Sequence, residues 1–152
     1  MKNTSSANNW VTKNKKIYSN ISLREYHDLD FYPPEGSLIY LYADLGMWKT
    51  TLTQTLLRRI LGEDLSITSP TYTYYNRYDN DYYHFDLYRL STYEEFFQIG
   101  GEDIILGREK GLVFVEWPER IDQFIKADYN IHISAWSDEQ YRNITITPQS
   151  LS

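Results

Sequence analysis

The stretch "SLIYLYADLGMWKTTLTQTLLRRILG", residues 37–62, constrains the fold more than any other part of the chain. Residues 37–43 are apolar and β-prone, which predicts a buried strand. "DLGMW" follows as a loop. Residues 49–62 then place Leu52, Leu56, Leu57, Ile60 and Leu61 at helical spacing, with Gly62 as a helix stop. Strand, glycine-containing loop and helix are the setting of a phosphate-binding loop, whose pattern is Gly, any four residues, Gly, Lys, then Ser or Thr. Lys49 and Thr50 stand where that pattern has them, but Ala43 and Trp48 replace its two glycines. In such a loop, backbone N–H groups cradle phosphates at the positive end of the helix. Lys49 would reach the outer phosphates, and Thr50 would set its hydroxyl on Mg²⁺. By itself the short pattern does not separate this from an ordinary amphipathic helix with a lysine near its start.

The remaining elements extend the α/β reading. Ser22 with Glu25 three residues on predicts a capped short helix in "SLREYHDLDFY". "PTYTYYNRYD" and "DYYHFDLYRL" read as two strands about the turn at 79–81. Residues 92–100 predict a helix capped by Thr92, with Glu95 at its third position. "GLVFVEW", 111–117, is a second fully apolar strand, ending in Glu116. "ADYNIHISAW" and "QYRNITIT" alternate like a closing hairpin. Two buried strands with helices between them predict an α/β sheet with antiparallel additions.

Bulk properties narrow the function classes. At 152 residues the chain can bury a real core. A net charge of -6 argues against free-standing nucleic-acid binding by charge. Without cysteine there is no disulfide framework and no thiolate metal site. No apolar run approaches the roughly 20 residues of a membrane span. Residues 1–16, polar and lysine-bearing, are expected as a disordered tail, with a single domain over 17–149.

Three further places could carry chemistry. Glu116 ends a buried strand, where a carboxylate seldom sits without a partner. In a nucleotide-hydrolysing fold, an acid here holds Mg²⁺ or positions water. Along the strand of "YHFDLYR", the residues Tyr82, His84, Asp86 and Tyr88 share one face, while Tyr83, Phe85 and Leu87 would face the core. Asp86 is a candidate second carboxylate or base for water. His84 reads as a hydrogen-bonded neighbour, and Arg89 as the partner of an acid. In "TSPTYT", Thr71 and Thr73 are placed to sense a γ-phosphate, though such residues are also ordinary in loops.

"ADLGMWKTTL", "SPTYTYYNRY", "YYHFDLYRL" and "VFVEWPERI" resemble, in order and spacing, the successive signatures of the TsaE (YjeE) family. The resemblance runs from about Ser22 to Thr147. It implies a P-loop NTPase-like three-layer sandwich with a mixed, mostly parallel central sheet and antiparallel additions. It also implies a cytoplasmic ATPase that works with TsaD and TsaB to make threonylcarbamoyladenosine beside the anticodon of tRNA. The protein would bind and slowly hydrolyse ATP, leaving the transfer chemistry to TsaD and meeting tRNA only through the complex. Carried over by position, the resemblance gives the loop Asp44, Leu45, Gly46, Met47, Trp48, Lys49, Thr50 and Thr51 to the nucleotide. It gives Thr50 and Glu116 to Mg²⁺, makes Asp86 and Trp117 necessary for activity, and sets Arg142 near the nucleotide. The segment Ser22 to Tyr26 falls where relatives touch the base, with threonine expected in place of Tyr26.

Trp48 departs from that pattern most sharply. Relatives carry glycine there, so that backbone approaches the phosphates closely. Were the position to need positive φ, a side chain would add about 1–2 kcal/mol of strain. Three readings stand: a degenerate relative that binds partners without hydrolysis, an indole swung outward with weak ATP binding, or a UGA codon read as tryptophan in place of glycine. Two rival functions accompany the ATPase reading. One is a nucleotide-deficient interaction module of the same complex. The other is a small-molecule kinase, disfavoured because no acceptor-binding lid is visible.

Overall fold

The computed structural model describes residues 15–43, 46–67, 74–135 and 140–149. Among these residues, seven strands form one sheet: β1 (Lys16–Ile21), β2 (Ser37–Ala43), β3 (Tyr75–Tyr78), β4 (Tyr82–Asp86), β5 (Leu112–Glu116), β6 (Tyr129–Ala135) and β7 (Arg142–Pro148). Their order is β1-β7-β6-β2-β5-β4-β3. The central pairings β4/β5, β5/β2 and β2/β6 are parallel. The outer pairings β1/β7, β7/β6 and β4/β3 are antiparallel. This is the mixed sheet with antiparallel additions that the sequence predicts. Strand β1 is additional to that reading: Lys16, placed there with the tail, pairs with Ile146.

Among the described residues, three α-helices flank the sheet: α1 (Gly46–Leu61), α2 (Tyr93–Gln98) and α3 (Gly101–Leu106). On one face, α1 and the 3₁₀ helix Leu23–Asp28 cover Ile39, Leu41, Phe114, Ile131 and Ile144. On the other, Leu38, Tyr40, Phe85, Val113 and Val115 pack against Phe96 of α2 and Ile105 of α3. Period-2 alternation sends neighbouring strand residues to opposite cores. The single core-facing set expected for β4 is therefore corrected. His84 and Phe85 are both 0% exposed, because both faces are covered.

Local signals account for the helix ends. Ser22 donates its N–H and its hydroxyl to the Glu25 carboxylate, as its capping box predicts. Thr92 accepts from the Glu95 N–H and caps α2. The predicted 92–100 helix is interrupted: α2 ends at Gln98, and Gly100, in the left-handed region, is the N-cap of α3. Gly62 follows α1 at φ 116°, a backbone state suited to glycine. At its other end α1 begins three residues before the predicted Lys49, so Gly46, Met47 and Trp48 are wound into its first turn.

Candidate functional site

Strand alternation and one helix assemble the site. Leu112 and Phe114 of β5 face α1, so Glu116 continues on that side at the strand end. The β4/β5 register sets Asp86 level with Glu116. Helix α1 crosses above them and brings Thr50 down: its Oγ1 donates toward Glu116 Oε2 at 2.8 Å and Oε1 at 3.0 Å. His84 Nε2 lies 2.5 Å from Glu116 Oε2. Glu116 is 2% exposed and His84 0%, so the carboxylate meets protein donors in place of water.

Lys49 is buried beside them, its Nζ 3.8 Å from the ring centroid of Trp117. Trp117 holds φ 58° and ψ 51°, a left-handed conformation that costs a bulky residue about 1–3 kcal/mol. That turn folds the indole back over the lysine, and Tyr88 packs against it at 5.0 Å. Asp86 accepts from the Tyr88 N–H at 3.1 Å. Burial, reinforced by the nearby Glu116 carboxylate, raises its pKa above the usual 3.8, while the Tyr88 bond, His84 and Lys49 pull the other way.

Trp48 takes a different direction. It is 4% exposed and belongs to the core under α1. Its ring meets Tyr26 edge-on at 5.7 Å, and the Arg142 guanidinium lies over it at 4.7 Å. The Tyr26 hydroxyl also donates to the Trp48 carbonyl at 3.5 Å. The outward-swung reading is thereby corrected, since the surrounding core gives the indole more than solvent would. Nor does the backbone at 48 need positive φ: Trp48 is helical and absent from the positive-φ residues. Two departures from the family pattern, Tyr26 and Trp48, are thus in contact.

The structure therefore brings together Lys49, Thr50, Asp86, Glu116 and Trp117, with Trp48 and Arg142 as a neighbouring pair. Thr51, on the same turn of α1, is half-buried, and its carbonyl accepts from Thr55 at 2.8 Å. Gly46 and Met47 lie in the first turn of α1. Asp44, Leu45, Thr71 and Thr73 lie outside the described residues. Arg89, expected to pair with an acid, sets its guanidinium 5.9 Å from the Tyr74 ring. Sequence reasoning named His84 as hydrogen-bonded without finding its partner. It also missed Tyr26 and Tyr88 as supports for the two tryptophans, because ring contacts between distant segments leave no periodic signal.

Thr50 and Glu116 present hard oxygen donors, the kind Mg²⁺ selects. Among the described residues, no group of three His, Cys, Asp or Glu could hold a metal ion. The pair fits a Mg²⁺ that keeps water and phosphate oxygens as its other ligands, not an all-protein cage.

Comparison with known proteins identifies the family of the chain. The family model described as "Threonylcarbamoyl adenosine biosynthesis protein TsaE" matches residues 14–144. The tRNA threonylcarbamoyladenosine biosynthesis protein TsaE of Haemophilus influenzae is 34% identical over 126 residues, covering 80% of this chain and 77% of that protein. The TsaE protein of Nostoc is 39% identical over 122 residues, covering 74% and 71%. The Synechocystis TsaE protein is 44% identical over 100 residues, covering 59% of each chain. The crystal structure of Bacillus subtilis YdiB shares the fold, with a TM-score of 0.60 at 24% identity over 89% of this chain and 86% of that one. With a family model that runs from before β1 into β7 and includes α1, Thr50 and Glu116, this chain belongs to the TsaE family of threonylcarbamoyladenosine biosynthesis proteins.

Proposed function

We propose that this chain is an ATP-binding, slowly hydrolysing accessory protein of tRNA N6-threonylcarbamoyladenosine formation. In this reading it acts with TsaD and TsaB and reaches tRNA through them. The observation that carries the reading is the Thr50 hydroxyl on the Glu116 carboxylate, with a buried Lys49 over the adjacent Trp117 ring. Thr50 and Glu116 would hold Mg²⁺, which when bound neutralises phosphate charge. Lys49 would turn from the Trp117 ring toward the outer phosphates. Asp86, whose proton affinity is raised by burial, is suited to take a proton from water at the carboxylate end of β4.

A second reading, a nucleotide-deficient interaction module, is favoured by one specific feature. Residues 46–48 form a helical turn, and the buried Trp48 ring anchors it. A phosphate cradle needs those residues as an open loop. Trp48→Gly removes the anchor, so two properties should move in opposite directions. Without nucleotide, the variant should lose about 3–5 kcal/mol of stability, as a buried tryptophan truncation does. With Mg-ATP it should bind more tightly than the native chain, whose binding is weak. Calorimetry and thermal denaturation on both chains measure this. Equal, tight binding by both would refute the blockage at Trp48, and no binding by either would favour the interaction module.

A further inference from the structure

His84 and Glu116 lie on adjacent parallel strands but two steps apart, since His84 faces Phe114 and Asp86 faces Glu116. The imidazole nonetheless reaches diagonally to the carboxylate at 2.5 Å, with the two side chains 0% and 3% exposed. A carboxylate so far from water needs donors on both position and tilt. Thr50 has a single hydroxyl hydrogen, and its oxygen is nearly equidistant from the two carboxylate oxygens, at 2.8 and 3.0 Å. One shared hydrogen leaves the carboxylate free to rock. The ring on Oε2 removes that freedom.

The other face of the imidazole strengthens the case. Nδ1 is buried without a hydrogen-bond partner. A buried, unpaired ring nitrogen is costly. Leucine or phenylalanine would fill the same core space without that cost, as Phe85 does on the opposite face. The histidine is therefore offset by what Nε2 does for Glu116. With Nδ1 unpartnered and a carboxylate as the acceptor, the tautomer that satisfies the pair carries its hydrogen on Nε2.

We propose that His84 is a positioning residue: through Nε2–H it holds the Glu116 carboxylate beside Thr50 in the orientation a divalent cation requires. It is fully buried and acts through Glu116. The metal half of this inference rests on the proposed function, whereas the orienting bond does not.

Two readouts test it, and they fail separately. In the ligand-free native chain, nitrogen-15 NMR of the imidazoles should show His84 as the Nε2–H tautomer with a slowly exchanging proton. Glu116→Ala should shift that signal and abolish its protection. A His84 signal indifferent to Glu116→Ala would overturn the proposal, whatever the chain does with nucleotide. The second readout uses the Trp48→Gly chain and the Mg²⁺ concentration at half-maximal enhancement of ATP binding. His84→Leu, which keeps bulk without a donor, should raise it about tenfold or more. His84→Gln, which keeps an N–H donor, should restore it to within about threefold. ATP affinity in EDTA should be equal in all three. A parallel loss with and without Mg²⁺ in His84→Leu would reduce His84 to a structural role, as would failure of His84→Gln to recover. Absence of ATP binding in the Trp48→Gly chain would count against the proposed function, and the NMR result would then decide His84 alone.

Discussion

Asp86 carries the site's clearest electrostatic tension. Burial and the Glu116 carboxylate raise its pKa above 3.8, so the folded chain binds its proton more tightly than the unfolded chain does. The ionised carboxylate thus costs stability above the folded-state pKa, and the cost is relieved as pH falls below the unfolded value. Asp86→Asn keeps an acceptor for the Tyr88 N–H, present at 3.1 Å, and removes the charge. The variant should melt above the native chain at pH 7.5, and the two should converge below about pH 4. Thermal denaturation at both pH values checks this. A native chain more stable than Asp86→Asn at pH 7.5 would show that Lys49 and His84 outweigh the desolvation. This residue was named from the sequence, because alternation sets it on one polar face with Tyr82, His84 and Tyr88. Its partners were not named, because which strand lies beside β4 is decided by packing.

At the scale of elements, the β3–β4 turn and the residue before β5 approach each other closely. A Cβ added to Gly111, at φ 68°, would lie 2.0 Å from the Asp81 carbonyl oxygen. Neither side can yield, since one is the entry to the central strand and the other the hairpin turn. Gly111→Ala should therefore cost about 2–4 kcal/mol in urea unfolding. At Gly62, φ is 116° but nothing lies within 4 Å of the added Cβ. Gly62→Ala should cost only about 1–2 kcal/mol of backbone strain. Similar costs for the two would show that the hairpin moves freely against β5. The elements with strong local signals were legible: the capping boxes at Ser22 and Thr92, the apolar run of β2 and the stop at Gly62. The start of α1 was not. Composition marks residues 44–48 as a loop, but burial of the Trp48 ring against Tyr26 and under Arg142 winds residues 46–48 into helix. Strand β1 was missed for a related reason, since "KIYSNI" is mostly polar and is held by ladder bonds to β7, with a register shift after Tyr18.

For the whole molecule, net charge governs what the chain meets alone. At -6, the isolated protein should show no saturable tRNA binding at about 0.15 M salt, because it lacks the surplus of cations that releases phosphate counterions. Filter binding across a salt series checks this, and tight, salt-sensitive binding would contradict access to tRNA through protein partners. Among the described residues no helix is long and apolar enough to cross a membrane. The sequence by itself determined the α/β class, the strand–turn–helix around Lys49 and Thr50, and the acids at the ends of two strands. These are local properties: periodicity, turn chemistry and a charge where an apolar run stops. Only the tertiary structure decided that Thr50 and His84 both reach Glu116, that Trp117 covers Lys49, and that Trp48 turns into the core. Each of those contacts joins segments tens of residues apart. Which side chain fills which space there depends on the volumes and donors of all its neighbours at once, and no stretch of sequence read alone contains that sum.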